Sequence, residues 1–166
     1  THEWNSDLKN WPVDLGAEFK DLNSNGLFEP EEGDYPKTFG DQMLWYVIND
    51  GVVNPYQFAG RKPMGLEAQV TVFSQNGKNE ALDRTVFVVY KFINKGDKPV
   101  EKAIFSIWSD PDIGSADDDL VGVDSARVLG YAYNETNQDL KYQINPPVFG
   151  FDLITGGTEN HLVLVD

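Results

Sequence analysis

The chain has 166 residues, enough for the core of one domain, and its 13 Lys and Arg face 27 Asp and Glu, a formal net charge of -14. This acidic balance repels phosphate backbones and anionic lipids, so we expect no nucleic-acid partner, and it favours divalent cations instead. The lack of cysteine excludes disulfides, thiolate zinc sites and a cysteine nucleophile. No apolar run has the length of a membrane span, and we expect no membrane insertion.

Residues 1–40 are predicted to form an irregular N-terminal arm, because their apolar residues follow neither the helical nor the strand period. Within this arm, the segment Asp21-Leu-Asn-Ser-Asn-Gly-Leu-Phe-Glu-Pro-Glu-Glu32 matches the calcium-loop pattern D-x-[DN]-x-[DN]-G-x5-E from its first to its last position. Prolines and glycines on both sides disfavour the two helices of an EF-hand. The sequence therefore predicts a calcium loop without EF-hand helices.

The predicted ligands of this loop are oxygens, which a hard cation such as Ca2+ requires in a set of six to eight. They are the side chains of Asp21, Asn23, Asn25, Glu29 and Glu32 and the backbone carbonyl of Leu27. Gly26 permits the sharp turn between them. The alternative is a surface turn that binds nothing, since Asp, Asn and Gly favour turns in any case.

From residue 41 onward, short runs of β-branched and aromatic residues are separated by turn signals. The predicted strands are 43–48, 66–74, 85–93, 100–108, 126–134, 148–154 and 161–165. No segment has the period of an amphipathic helix. These features predict an all-β fold: an antiparallel, jelly-roll-like β-sandwich over 41–166 that follows the irregular calcium-binding arm. The abrupt ends of the sequence favour a fragment of a longer protein.

A second acidic cluster follows the predicted strand 100–108, with six aspartates between positions 110 and 124. So many like charges on one loop are costly unless a cation lies among them, and Gly114 and Gly122 allow the backbone to fold the carboxylates together. The predicted ligands are Asp110, Asp112, Asp118 and Asp124. The alternative is a solvated acidic turn.

No catalytic signature stands out in the sequence, and we expect a protein that is not an enzyme. His2 and His161 lie at opposite ends of the chain without zinc-site spacing, and no serine has a nucleophile-elbow context. Two carboxylates of the acidic loop are acid and base candidates for glycoside hydrolysis, but spacing along the chain does not fix their separation in space. The abundant aromatic residues favour core packing over a sugar-stacking platform.

Several motifs recur together in a recognisable set. They are Trp11-Pro12, Leu15-Gly16-Ala17, the loop Asp21 to Glu32, Gly33-Asp34-Tyr35-Pro36, Gly40-Asp41-Gln42, Pro63-Met64-Gly65-Leu66-Glu67, Trp108-Ser109-Asp110-Pro111-Asp112, Asp118-Asp119 and Gly122-Val123-Asp124. The set resembles a region of large secreted or surface proteins of Bacteroidetes and related bacteria, which commonly end in a type IX secretion sorting domain. The resemblance implies an extracellular location and export by the type IX route. It also makes Asp124-Ser125-Ala126 look like the O-glycosylation acceptor of these bacteria.

Taken together, these observations lead us to expect a calcium-stabilised structural, adhesion or assembly module of a secreted or cell-surface bacterial protein. Its expected partners are calcium and other subunits or domains of the same surface assembly. The alternative is a carbohydrate-binding module, or part of a polysaccharide-degrading enzyme, with glycans as partners.

Overall fold

The computed structural model describes residues 2–51, 63–77 and 79–155. Within these ranges most regular structure is antiparallel β-sheet, so the predicted all-β antiparallel class is confirmed. The strands are β1 (Phe19–Lys20), β2 (Tyr35–Pro36), β3 (Gln42–Asn49), β4 (Leu66–Ser74), β5 (Val86–Asn94), β6 (Asp119–Asp124), β7 (Leu129–Asn134), β8 (Gln138–Asp139), β9 (Gln143–Ile144) and β10 (Phe149–Asp152). The helices are α1 (His2–Lys9) and α2 (Glu80–Asp83), with 3-10 helices at Val13–Leu15, Pro30–Glu32 and Ala116–Asp118.

The chain divides into two compact units, Thr1–Ala103 and Ile104–Asp166. The sequence analysis placed the boundary elsewhere, between an arm at 1–40 and a sandwich at 41–166. That division stays a prediction. The jelly-roll strand order and the packing of two sheets into a sandwich also stay predictions. None of the helices in the described ranges is both long enough and apolar enough to cross a membrane.

The first unit is organised by the sheet β3–β4–β5, whose neighbouring strands run antiparallel. Pairing is continuous from Gln42 opposite Ser74 to Asn49 opposite Glu67, and β5 pairs with β4 over its whole length. The predicted strands 43–48, 66–74 and 85–93 are confirmed within one residue at each end. Alternating β-branched and aromatic residues predicted them because such side chains suit a pleated surface.

One face of this sheet is covered by the arm. Trp11 lies with its ring centroid 6.3 Å from that of Trp45 on β3, and Phe39 lies 5.7 Å from Phe73 on β4. The buried Gln69 side chain donates from Nε2 to the Leu15 carbonyl oxygen at 2.9 Å. These anchors replace ladder hydrogen bonds, of which the arm has few, and hold it on the sheet.

The opposite face of the same sheet is apolar. Its residues on the central strand, Ala68 and Val70, are buried, whereas large side chains on the outer strands are exposed. Those exposed side chains are Leu44, Tyr46, Ile48, Val88, Tyr90 and Phe92. An apolar sheet face of this kind is what a sandwich packs against a second sheet.

The second unit contains the three-stranded sheet β10–β7–β6 and the short pair β8–β9. Its buried apolar residues include Ile113 and Ala132. The predicted strands 126–134 and 148–154 are confirmed as β7 and β10, with shorter limits. Strand β7 begins only at Leu129 because residues 125–128 form the turn that reverses the chain after β6.

Two sequence predictions are wrong. The predicted strand 100–108 is absent, and residues 101–108 form no ladder; Ile104 is 92% exposed and Trp108 84% exposed. Alternation alone does not make a strand, which also needs a neighbour to pair with. Conversely, the acidic segment 110–124 was expected to be a loop throughout. Its second half forms β6, because the backbone there pairs with β7 despite the charged side chains.

Two further outcomes concern the helices and the last predicted strand. The sequence analysis did not predict helices α1 and α2. Both are too short to show a helical period of apolar residues, and both depend on local hydrogen bonds. Asn10, for example, donates from its side-chain amide to the Ser6 carbonyl oxygen at 2.9 Å. The predicted strand 161–165 lies outside the described residues.

Candidate metal sites

The loop predicted to bind calcium is closed at both of its ends. Strands β1 and β2 pair directly beside it, with Phe19 opposite Pro36 and Lys20 opposite Tyr35. Inside this neck the carboxylate of Asp34, which is only 2% exposed, accepts hydrogen bonds from the backbone N–H groups of Leu22 and Glu29, each at 2.9 Å. The loop is therefore preceded by a short strand and ends in the 3-10 helix Pro30–Glu32, and it lacks the flanking α-helices of an EF-hand.

Asp21 organises the first half of the loop. Its Oδ1 accepts from the N–H groups of Ser24 at 2.7 Å and Asn25 at 3.3 Å, and its Oδ2 accepts from Gly26 N–H at 2.7 Å. Gly26 has φ +81°, in the left-handed region that disfavours side chains. The backbone thus wraps around the carboxylate of Asp21.

The other side chains at predicted ligand positions converge in pairs. Asn23 donates from Nδ2 to Oε2 of Glu32 at 2.9 Å, and Asn25 donates from Nδ2 to Oε2 of Glu29. Oδ1 of Asn23 accepts from Asn25 N–H, and Oδ1 of Asn25 accepts from Leu27 N–H. The structure therefore brings the early and late positions of the motif together.

These residues fit a calcium ion in donor chemistry. The carboxylates of Asp21, Glu29 and Glu32 and the Leu27 carbonyl are oxygen ligands, and that carbonyl accepts no hydrogen bond from the described part of the chain. The two asparagines direct nitrogen toward the glutamates, so ligation requires each amide to turn and present Oδ1 instead.

Charge in the loop is not balanced by basic side chains. Among the residues that the structure describes, no Lys or Arg forms an ion pair with Asp21, Glu29, Glu32 or Asp34. In the same ranges no group of three or more His, Cys, Asp or Glu side chains is arranged to hold a metal ion. The three carboxylates of the loop, Asp21, Glu29 and Glu32, therefore do not form such a group by themselves.

The four aspartates predicted for a second site are not brought together. Asp110 and Asp112 are exposed and form no hydrogen bond or ion pair within the described ranges. Asp118 ends the 3-10 helix before β6, whereas Asp124 is the last residue of β6. A strand rises about 3.3 Å per residue, so these two carboxylates lie roughly 20 Å apart along the strand and do not share one ion.

Asp124 has a different set of contacts. Its carboxylate accepts from the Arg127 guanidinium and from the backbone N–H groups of Ala126 and Arg127, and so it fixes the turn between β6 and β7. The Arg127 side chain is the main cause that lowers the pKa of Asp124. Ser125, beside it in the same turn, is exposed.

Sequence reasoning missed Asp139, the residue that organises this part of the second unit. Its carboxylate is 8% exposed and accepts from the N–H groups of Ser115 at 2.8 Å, Lys141 at 2.8 Å and Tyr142 at 2.6 Å. The bond from Tyr142 N–H is the main cause that lowers the pKa of Asp139. Nothing in the local sequence marks this residue, because Ser115 lies far away along the chain.

Comparisons with known proteins add no assignment: no protein-family model, no curated protein and no solved structure matches this chain. The resemblance to secreted proteins of Bacteroidetes therefore stays a prediction. Any function must be argued from the geometry of the chain itself.

Proposed function

We propose that this chain is a calcium-stabilised structural, adhesion or assembly module of a secreted or cell-surface bacterial protein, and that the loop 21–32 is its calcium site. The observation that carries the proposal is the convergence of the motif's early and late side chains, Asn23 with Glu32 and Asn25 with Glu29. These contacts bring oxygen-bearing side chains together in pairs, in a loop whose carboxylates form no ion pair with a Lys or Arg of the described residues.

In this proposal the residues of the chain supply the oxygens, and the ion supplies positive charge that offsets their mutual repulsion. Asp21 also holds the backbone turn, and Glu32 joins the end of the loop to its beginning. Because the arm has few ladder hydrogen bonds, ligation would stabilise the arm on the sheet β3–β4–β5. Extracellular calcium sites have dissociation constants of roughly 0.1–1 mM, which suits a secreted module.

The assembly role is supported by the apolar face of the sheet β3–β4–β5. Leu44 is 59% exposed and Ile48 52% exposed on that face. Groups of exposed apolar side chains mark surfaces that contact other proteins or domains. The partners we propose are therefore calcium and other subunits or domains of one surface assembly.

Thermal unfolding of the full chain tests the calcium site. About 10 mM calcium is roughly 10 to 100 times such a dissociation constant and stabilises the folded state by about 1.4–2.7 kcal/mol by mass action. For a chain of this size we expect Tm to rise by about 3–10 °C relative to chelator. An unchanged Tm on chelation contradicts the proposal.

A pair of neighbouring substitutions separates ligation from general charge effects. Glu32→Gln removes the carboxylate that closes the loop, and we expect most of the calcium-dependent rise in Tm to disappear. Glu31→Gln makes the same charge change at the exposed neighbour in the same 3-10 helix and should leave that rise intact. Equal losses in the two variants would show that calcium acts through net charge alone.

One observation favours the carbohydrate-binding alternative. Tyr90 and Phe92 on β5 lie nearly parallel, with ring centroids 5.9 Å apart and an interplanar angle of 8°, and each is 43% exposed. Aromatic faces of this kind stack on sugars, but apart from Tyr46 the surrounding side chains are aliphatic, which is more typical of a packing surface. A glycan array with the wild-type chain and Tyr90→Ala decides: binding that this substitution abolishes would favour the alternative.

A further inference from the structure

Three buried side-chain oxygens of the second unit accept no hydrogen bond from the described part of the chain. They are Oδ1 of Asp118, Oδ1 of Asp119 and Oδ1 of Asn134. Asn134 is the most deeply placed, with 7% of its surface exposed. Buried polar atoms without a partner are rare in folded proteins, because each costs about 1–3 kcal/mol of lost solvation.

The rest of each side chain is held in place. Asn134 donates from Nδ2 to Oδ2 of Asp118 at 3.1 Å and to the carbonyl oxygens of Thr136 and Gln138. Oδ2 of Asp119 accepts from Ile113 N–H at 2.8 Å. The amide nitrogen of Asn134 is thus fully used, so turning this amide would not satisfy its oxygen without breaking those bonds.

The three side chains are neighbours although they come from distant parts of the sequence. Asp119 lies directly opposite Asn134 in the ladder between β6 and β7, and opposed residues present their side chains on the same face. Asp118 joins them through the hydrogen bond from Asn134 and through its own carbonyl, which accepts from Glu135 N–H at 2.8 Å. The β6–β7 ladder therefore gathers two carboxylates and one amide.

A cation satisfies this group better than water does. All three oxygens are acceptors, and one water molecule has only two hydrogens to donate. Within the described ranges no Lys or Arg forms an ion pair with Asp118 or Asp119, so two negative charges lie together uncompensated. A divalent cation binds several oxygens at once and offsets the charge.

We propose that Asp118, Asp119 and Asn134 form a binding site for a hard divalent cation, for which Ca2+ is the best match. Only oxygens are present, which disfavours zinc and other metals that prefer nitrogen or sulfur. Among the described residues no group of three or more His, Cys, Asp or Glu side chains is arranged to hold a metal ion, and this site has two carboxylates, so it depends on the amide oxygen of Asn134 as its third ligand. This site does not rest on the function proposed for the loop 21–32, since it lies in the other unit.

The surroundings leave room for further ligands. Asp118 lines an open pocket of about 530 Å³, together with Thr136, Gln138 and Asp139. Asp119 and Asn134 do not line this pocket, so an ion would enter past the Asp118 side chain, and water molecules would complete its coordination shell. A bound ion would tie the 3-10 helix Ala116–Asp118 to the first residues of the β6–β7 ladder.

Calorimetric titration of the full chain with calcium tests this site in a Glu32→Gln background, in which the loop is impaired. We expect one remaining binding event, which Asp119→Asn weakens at least about tenfold, because a ligand charge is lost. Asp117→Asn is the matched control, since Asp117 is the exposed neighbour in the same 3-10 helix and holds none of the three oxygens. Absence of any event in the Glu32→Gln background, or equal weakening by both substitutions, overturns the proposal.

A second measurement separates cation binding by Asp119 from a purely structural role of its side chain. It compares the Tm of Asp119→Asn with that of wild type in chelator and in calcium. In chelator, Asp119→Asn removes one of two adjacent negative charges and supplies an N–H donor, so Tm should stay the same or rise. With calcium, the same variant should have a lower Tm than wild type. A fall in Tm of equal size under both conditions contradicts the proposal, and Asp118→Asn serves as the second variant if Asp119→Asn does not fold.

The two calcium sites are separable in the same experiments. If Glu32→Gln leaves calcium binding unchanged and Asp119→Asn abolishes it, the loop proposal fails and the site in the second unit stands. The reverse pattern overturns the second site and leaves the loop intact.

Discussion

The loop 21–34 and the segment 113–142 both fold around a buried aspartate that accepts backbone N–H groups, but they collect those groups over different distances along the chain. Asp34 receives its bonds from Leu22 and Glu29, inside one loop. Asp139 receives a bond from Ser115 as well as from its neighbours Lys141 and Tyr142. Hydrogen bonds between residues of one loop leave a pattern that can be recognised in the sequence. Hydrogen bonds between residues far apart along the chain leave no such pattern.

The same contrast holds for the two proposed cation sites. Ligand positions of the first alternate within one short motif, so a turn of the backbone is sufficient to gather them. The second combines two adjacent aspartates with Asn134, which reaches them only through the pairing of β6 with β7. Substitutions inside the loop are therefore sufficient to disrupt the first site. The second site is also sensitive to substitutions in β7, far away along the chain.

The largest effect is expected from Gly114→Ala, which acts on the segment around Asp139. Gly114 has φ +78°, and a Cβ at this position would overlap the Asp139 carboxylate. Left-handed strain and steric overlap together should lower the free energy of unfolding by about 3 kcal/mol. Urea unfolding measures the change.

Gly26→Ala is the matched control for this prediction. Gly26 has a similar φ of +81°, yet a Cβ there would meet nothing within 4 Å. Only the left-handed strain applies, so we expect a loss of about 1 kcal/mol. Equal losses at Gly114 and Gly26 would mean that close approach to Asp139 does not matter to stability.

Asp34→Ala should have a smaller effect, confined to the loop. It leaves the N–H groups of Leu22 and Glu29 without an acceptor, and we expect a loss of about 2 kcal/mol. Because those bonds are to backbone and not to an ion, part of the loss should persist in chelator. Hydrogen exchange should locate the change at residues 21–34.

Asp14→Ala controls for the removal of an acidic residue from the arm. Asp14 is exposed and makes no hydrogen bond or ion pair within the described ranges. Its substitution should leave both Tm and exchange near wild type. If Asp34→Ala behaves in the same way, the loop does not depend on its buried carboxylate.

The smallest effect is expected from a change of pH, which alters the free energy of unfolding of both units only in the acid range. Hydrogen bonds from Met64 N–H and Tyr142 N–H are the main causes that lower the pKa values of Asp50 and Asp139, respectively. Folding therefore favours the charged form of each. Their contribution is complete above the unfolded-chain pKa of about 3.9 and is lost as the pH falls below it, through the folded-state pKa.

Urea unfolding in chelator between about pH 7 and pH 3 tests this dependence. We expect these groups to add no slope between about pH 7 and pH 5 and to add a decline below about pH 4. Asp139→Asn, which cannot titrate, should have a shallower decline than wild type. An identical acid slope in this variant would show that Asp139 gains nothing from its backbone donors.

Sequence alone determined the features that depend on neighbours along the chain. The period of apolar residues predicted β3, β4 and β5 closely, because alternation and β-branching directly reflect a pleated sheet. The spacing from Asp21 to Glu32 likewise indicated a tightly turning loop, in which the structure pairs Asn23 with Glu32 and Asn25 with Glu29. Its ligation of calcium stays a prediction.

Tertiary structure decided the features that depend on a partner elsewhere. Residues 101–108 alternate like a strand but have no ladder, whereas the acidic residues of β6 form a strand because β7 lies beside them. The same pairing separates Asp118 from Asp124 by the length of a strand and places Asp119 opposite Asn134. A backbone hydrogen bond between distant residues leaves no local signal, so only the folded chain reveals which carboxylates share a site.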